Sequence, residues 1–242
     1  MAVKAYVVDR KHVQRVKMYR VEDKYFLSDT DQFILKERLK AIMSSDSNEK
    51  DDRGYRISSV YFDDYRDTHY HDTVSGNPER EKYRIRIYND SLDDILAEIK
   101  IKKYSRIRKI QARISREQMN CLMNGVPAEC SNDTPDNPVF LFNTAIKTRL
   151  LRPKVIVTYE RKAFICQSGN VRITFDTGVR ASNRIDMFGS PDIVYDHPQD
   201  EDSVLEVKYD EFLPDYIDQT LQMNQMLQTS FSKYMVCREI YM

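Results

Sequence analysis

Residues 81–113 read EKYRIRIYNDSLDDILAEIKIKKYSRIRKIQAR, and successive side chains on a β-strand point to opposite faces. With that period Lys82, Arg84 and Arg86 share one face, and Tyr83, Ile85 and Ile87 share the other. Glu98, Lys100 and Lys102 then oppose Ile99 and Ile101, and Lys109, Gln111 and Arg113 oppose Ile110, Ala112 and Ile114. The stretch predicts three consecutive strands, each apolar on one side and basic on the other. A single basic face is usually the wetted side of an antiparallel sheet. Three faces of nearly one sign are different, because like charges opposite one another destabilise a sheet. Something anionic would offset that repulsion.

Working outward, residues 19–27 alternate as a strand with Glu22 and Lys24 on one face. Ser28 caps a helix with Asp29 and Asp31 in its first turn, and Leu35, Leu39 and Ile42 form its stripe. Residues 55–62 are another strand. His69 and His71 follow; two apart on a helix, they do not face each other, so the pair reads as solvated and not as a metal site. Ser115 caps a short helix over 116–123, residues 125–138 form a loop within the domain, and Asn137-Pro138 starts a helix with Val139, Phe142, Ile146 and Leu150 inward. Residues 154–165 and 171–179 are strands around a turn at Gly169-Asn170. Residues 204–209 add a strand that sets Glu206 beside Lys208. Pro214 opens a last helix with Tyr216, Thr220, Met223 and Leu227 in a stripe.

The chain of 242 residues fits one domain, 1–242. With 31% charged and 41% hydrophobic residues it is globular. Its formal net charge of zero argues against a dedicated nucleic-acid binder, and means that the positive charge is concentrated, not abundant. The four cysteines form no CxxC pair, which fits a reducing cytoplasm. The first residues carry charges where a signal peptide needs an apolar core, and no run is long enough to span a membrane. Membrane association would need a partner.

Glu-x-Lys occurs on three of these strands, as Glu22-Asp23-Lys24, Glu98-Ile99-Lys100 and Glu206-Val207-Lys208. About eight strands with helices outside predict an α+β domain built on a closed or nearly closed antiparallel β-barrel, since closure removes sheet edges. Its bore would carry Lys24, Arg84, Arg86, Lys100, Lys109, Arg161, Arg172 and Lys208. Guanidinium forks and ammonium groups in that number suit a polyanion with phosphate oxygens. Carboxylates among them would hold magnesium or manganese, a combination suited to phosphoryl transfer. The chain lacks a Walker loop, GxGxxG, GxSxG and HExxH, and its tyrosines form no base-stacking platform.

In order along the chain, Glu22-x-Lys24-Tyr25, Tyr61-Phe62-Asp63, Tyr83-Arg84-Ile85-Arg86, Glu98-Ile99-Lys100, Tyr159-x-Arg161-x-Ala163-Phe164, Val171-Arg172-Ile173-Thr174-x-Asp176, Leu205-Glu206-Val207-Lys208 and Phe231-Ser232-Lys233-Tyr234 resemble the VTC domain. This is the polyphosphate polymerase branch of the triphosphate tunnel metalloenzymes. The resemblance implies transfer of the terminal phosphoryl group of ATP onto a polyphosphate chain. It implies Arg84, Arg86, Lys100 and Arg161 at the reacting phosphates, and Lys24, Lys109, Arg172, Lys208 and Lys233 as further phosphate binders. Glu206, with Glu22, would bind Mn2+ or Mg2+. Two departures stand out: Arg20 replaces the first carboxylate of the superfamily's ExExK, and Ser230-Phe231-Ser232-Lys233 stands for KFSK. Water as acceptor would make the same tunnel a triphosphatase, and without turnover it would be a polyphosphate- or inositol-phosphate-binding module. A partner in the membrane would place it at the inner, cytoplasmic face.

Overall fold

The computed structural model describes residues 21–46, 49, 54–104, 106–198, 203–223 and 226–242; Tyr19 and Arg20, expected in the first strand, lie outside them. In chain order the elements are β1 (Val21–Leu27), α1 (Asp29–Lys40), β2 (Ser44–Ser45), β3 (Tyr55–Asp63), α2 (Thr68–Val74), β4 (Glu79–Tyr88), β5 (Ser91–Lys103) and β6 (Arg106–Ile114). Then come α3 (Arg116–Met123), α4 (Pro138–Arg149), β7 (Arg152–Cys166), β8 (Val171–Ser182), β9 (Ser203–Tyr209), α5 (Asp215–Leu221), β10 (Leu227–Gln228) and α6 (Lys233–Glu239).

Local chemistry sets several boundaries. Ser28 accepts a hydrogen bond from the Asp31 amide to start α1, and Ser115 with Gln118 makes a capping box on α3. Asn137 accepts from the Val139 amide ahead of Pro138 at α4. Asn89 and Asp90, both at positive φ, form the two-residue hairpin between β4 and β5. Gly54 is at φ +90°, and a Cβ there would meet the Arg161 carbonyl oxygen at 2.2 Å. Only glycine lets the chain enter β3 that close to β7.

All strands join one ten-stranded sheet, ordered β10-β1-β9-β8-β7-β3-β4-β5-β6, with β2 paired to β7. Every ladder is antiparallel. Lys100 of β5 donates to Glu22 of β1 at 2.9 Å, although six strand spacings separate them in the sheet. A flat sheet would hold them about 29 Å apart at ~4.8 Å per spacing, so the sheet curls with its charged face inward. It is nevertheless not a closed barrel, which corrects the expectation from sequence. β1 gives its outer edge to β10, through Tyr25 opposite Gln228 and Phe26 opposite Leu227, and Thr229 donates to the Lys24 carbonyl. With that edge taken, β6 has no partner on its far side among the described residues. Side chains, not a hydrogen-bonded seam, span the gap.

The outward faces are apolar. Leu35 and Leu39 of α1 and Ile217 of α5 pack on Ile173, Phe175 and Leu205. Leu122 of α3 and Phe142 and Ile146 of α4 cover Tyr83, Ile85 and Ile99. Helix α6 differs, for its Tyr234 and Cys237 pack with Ile57, Val157, Tyr159 and Ala181 on the face that carries Arg86 and Arg161. Three local expectations also change. Leu150 is the exposed, left-handed C-cap of α4, and Ile42 follows α1 and is exposed. The last helix, expected from Pro214 to Leu227, stops at Leu221 as α5, Leu227 falls in β10, Tyr216 and Leu227 are exposed, and α6 is a further helix beyond them. Among the described residues no helix is long and apolar enough to cross a membrane, and the four cysteines are free thiols.

Candidate functional site

Strand alternation carries most of the expected residues onto the inward face, where they fall into three ion clusters. In the first, Glu98 is 1% exposed; it accepts from Arg84 Nε at 2.6 Å, lies 3.9 Å from Arg86 and pairs with Lys109. Arg84 also donates to Tyr61 Oη at 3.0 Å, while Arg86 reaches Ser59 Oγ and Tyr159 Oη, each at 3.3 Å. Burial pushes the Glu98 pKa up, but Arg84, Arg86 and Lys109 together outweigh it and hold the carboxyl well below its usual range. Burial pulls the Lys109 ammonium down to about 8, against the attraction of Glu98.

In the second cluster Arg161 grips Asp176 with two bonds of 2.6 Å, and Lys233 of α6 adds a contact of 2.7 Å. Asp176 is fully buried; burial raises its pKa, and Arg161 and Lys233 reverse this and bring it to about 2. In the third, Lys24 and Glu206 sit opposite each other in the β1–β9 register, as do Glu22 and Lys208. Glu206 meets Lys208 at 2.8 Å, Lys24 at 3.9 Å and Arg161 at 3.8 Å. Glu22 meets Lys100 at 2.9 Å, Lys24 at 3.7 Å and Lys208 at 3.8 Å. Burial raises the Glu206 pKa, but Lys208, Lys24, a hydrogen bond with Glu22 and Arg161 hold it well below normal.

Arg172 is not drawn into these clusters; it pairs with Asp46 and donates to Tyr55 Oη at 3.0 Å. Two groups absent from the sequence-based site now belong beside it. Lys82 donates to Ser232 Oγ at 2.8 Å, and its place in the same alternation as Arg84 was the available signal. Asp63, 0% exposed, accepts from the amides of Asp64, His69 and Tyr70 and from Tyr234 Oη at 2.6 Å. Tyr234 stacks on Tyr61 at 5.1 Å, which links α6 to Arg84; no sequence signal joins residues so distant. His71 is exposed, as expected of a solvated pair, but His69 is buried and stacked on Tyr83. Its place beside Asp63 belongs to this anchor.

No group of three or more His, Cys, Asp or Glu suited to a metal occurs among the described residues. Glu22 and Glu206 do converge, since each lies within ion-pair distance of both Lys24 and Lys208. Two hard oxygen donors fit one magnesium- or manganese-like ion that keeps several of its waters. Three ammonium groups, of Lys24, Lys100 and Lys208, already crowd this carboxylate pair.

The inward-curled sheet thus gathers Lys24, Lys82, Arg84, Arg86, Lys100, Lys109, Arg161, Lys208 and Lys233 around Glu22, Glu98, Asp176 and Glu206, an arrangement suited to an anion. The family model of the VTC domain matches residues 19–242, and the chain belongs to the VTC domain family. Membership supports metal-dependent phosphotransferase activity of the polyphosphate-polymerase type on phosphate-chain substrates. No curated protein matches the sequence. Among solved structures, the PH1819 protein from Pyrococcus horikoshii OT3 is 15% identical with a TM-score of 0.41, over 84% of each chain. A candidate adenylate cyclase (bh2851) from Bacillus halodurans is 10% identical with a TM-score of 0.45, over 79% of this chain and 80% of that one.

Proposed function

We propose that the chain forms a single domain, 1–242, that moves the terminal phosphoryl group of ATP onto the end of a polyphosphate chain. The observation that carries this reading is the excess of cations on the inward face, nine against the four carboxylates just named. A phosphate chain would supply the balancing negative charge. Arg84, Arg86, Lys100 and Arg161 would align the reacting phosphates, and Lys24, Lys109, Lys208 and Lys233 would hold the remainder. Arg172, at the Asp46 end, would engage phosphate at the rim. Phosphoryl transfer needs positioning and charge stabilisation more than covalent help, and a terminal phosphate acceptor is already anionic, so no dedicated base is required. Glu22 and Glu206 would hold Mn2+ or Mg2+, which when bound neutralises charge on phosphoryl oxygens. The cytoplasm, at the inner face of a membrane through a membrane-protein partner, is the location consistent with ATP as donor.

The test is incubation with ATP and manganese, followed by separate measurement of acid-stable polymer and released phosphate. The wild-type chain should make polymer. The Arg84→Ala, Arg86→Ala double variant should lose about 10²-fold or more of that activity with an unchanged circular dichroism spectrum. Polymer at the wild-type rate from the double variant would show that these arginines are not the site. Orthophosphate in place of polymer would identify a triphosphatase, and tight binding without turnover a binding module.

A further inference from the structure

Beyond the three ion clusters the basic track continues toward the open end of the β4–β5 ladder. Register puts Arg80 directly opposite Lys102, Lys82 opposite Lys100, and Lys100 opposite Lys109. Two successive like-charged pairs on the β4–β5 ladder and a third on the β5–β6 ladder oppose the pairing of these strands. Lower down the cost is offset, since Glu98 serves Arg84, Arg86 and Lys109 and Glu22 serves Lys100. Arg80, Lys82 and Lys102 have no such partner: among the described residues no carboxylate lies within ion-pair distance of any of them. Arg80 donates to the Asn77 carbonyl at 2.9 Å and Lys82 to Ser232 Oγ at 2.8 Å, both neutral acceptors. Burial, then Lys24, Lys100, Arg80 and Arg84, push the Lys82 pKa well down. Burial, Arg80 and Lys100 lower that of Lys102, against Glu22.

We propose that Arg80, Lys82 and Lys102 form a further anion subsite, which holds the condensed-phosphate chain beyond the segment gripped by Arg84 and Arg86. The proposal rests on the function given above and adds a direction to it. From Arg84 to Arg80 the track runs about 14 Å along one strand, with its neighbours on β5 ~4.8 Å to the side. Such a line suits a linear polyanion and not a point anion. A ligand as short as tripolyphosphate fills the clustered cations first, and only a longer chain reaches the row. The end of the sheet marked by Arg80 and Lys102 is therefore where the distal part of the chain lies.

The experiment compares binding of tripolyphosphate and of long-chain polyphosphate by the whole chain and by an Arg80→Ser, Lys102→Ser variant. Both positions are half-exposed, so the fold tolerates the change. The long chain should bind about tenfold more weakly to the variant, and tripolyphosphate less than about twofold. The slope of log affinity against log salt for the long chain should shrink by about 1. An Arg116→Ser, Arg184→Ser control removes the same charge from exposed arginines paired with Asp93 and Asp186, and should change neither. Equal weakening of both ligands, no weakening, or the same loss in the control overturns the subsite. So does a single-stranded oligonucleotide that binds the wild type as tightly as the long chain. If the wild type binds neither phosphate ligand, the polymerase reading fails with it. If the wild type makes polymer but chain affinity ignores the row, only the subsite fails.

Discussion

Replacing Glu98 by Gln keeps the shape of the side chain and removes the one carboxylate shared by Arg84, Arg86 and Lys109. Glu98 and Arg86 are 1% and 5% exposed, so Arg86 cannot recover solvation, and the Arg84 side chain, 19% exposed, recovers only part of it. Breaking a buried pair from one side costs about 3–5 kcal/mol. The lower end applies, because the Lys109 side chain is 42% exposed and its share is screened. At roughly 2–4 °C per kcal/mol for a domain of this size, the melting temperature should fall by about 6–12 °C in phosphate-free buffer. Glu98 titrates lower when folded than unfolded, so its stabilisation is complete above about pH 4 and is lost as pH falls through the folded value. The gap between wild type and variant should therefore close in acid. Added tripolyphosphate should raise the melting temperature of the variant more than that of the wild type, since it replaces the missing negative charge and no longer faces Glu98. The assay is thermal denaturation with and without ligand in chloride buffer. A variant as stable as wild type, or one less stabilised by tripolyphosphate, would refute the idea that Glu98 stands in for phosphate.

Tyr234→Phe deletes the 2.6 Å bond to Asp63 but leaves Asp63 its amide donors; urea denaturation should show a loss of about 1–3 kcal/mol. Polymer formation should fall with it, because Lys233 and Ser232 are placed by the same turn of chain, and unchanged stability would show that the bond is not an anchor. Lys109 titrates near 8, and bound phosphate favours its charged form. Tripolyphosphate affinity should thus decline as pH rises through about 8, with proton uptake on binding visible by calorimetry in buffers of different ionisation enthalpy. A Lys109→Arg variant should flatten that profile, and a flat wild-type profile would exclude Lys109 from the site.

The alternation in residues 81–113 by itself determined the β4–β5–β6 ladders and which side chains share the charged face, because strand geometry admits only period two. The same rule put Glu22 with Lys24 on one face of β1 and Glu206 with Lys208 on one face of β9, but that the two strands pair, with Glu22 opposite Lys208 and Lys24 opposite Glu206, came from the structure. Lys82 was legible by that rule too. Closure was not legible. It depended on β10, two residues long, taking the edge of β1, and a segment so short carries no periodicity. Helix α6 was equally hidden: Lys233, Arg238 and Glu239 give its seven residues a surface character, yet Tyr234 and Cys237 are buried on the inward face. Its placement depends on the bond from Tyr234 to Asp63, 171 residues away. Local pattern thus decides which face of each strand is charged, whereas the curl of the sheet and the helix that packs into it come from contacts between segments remote in sequence.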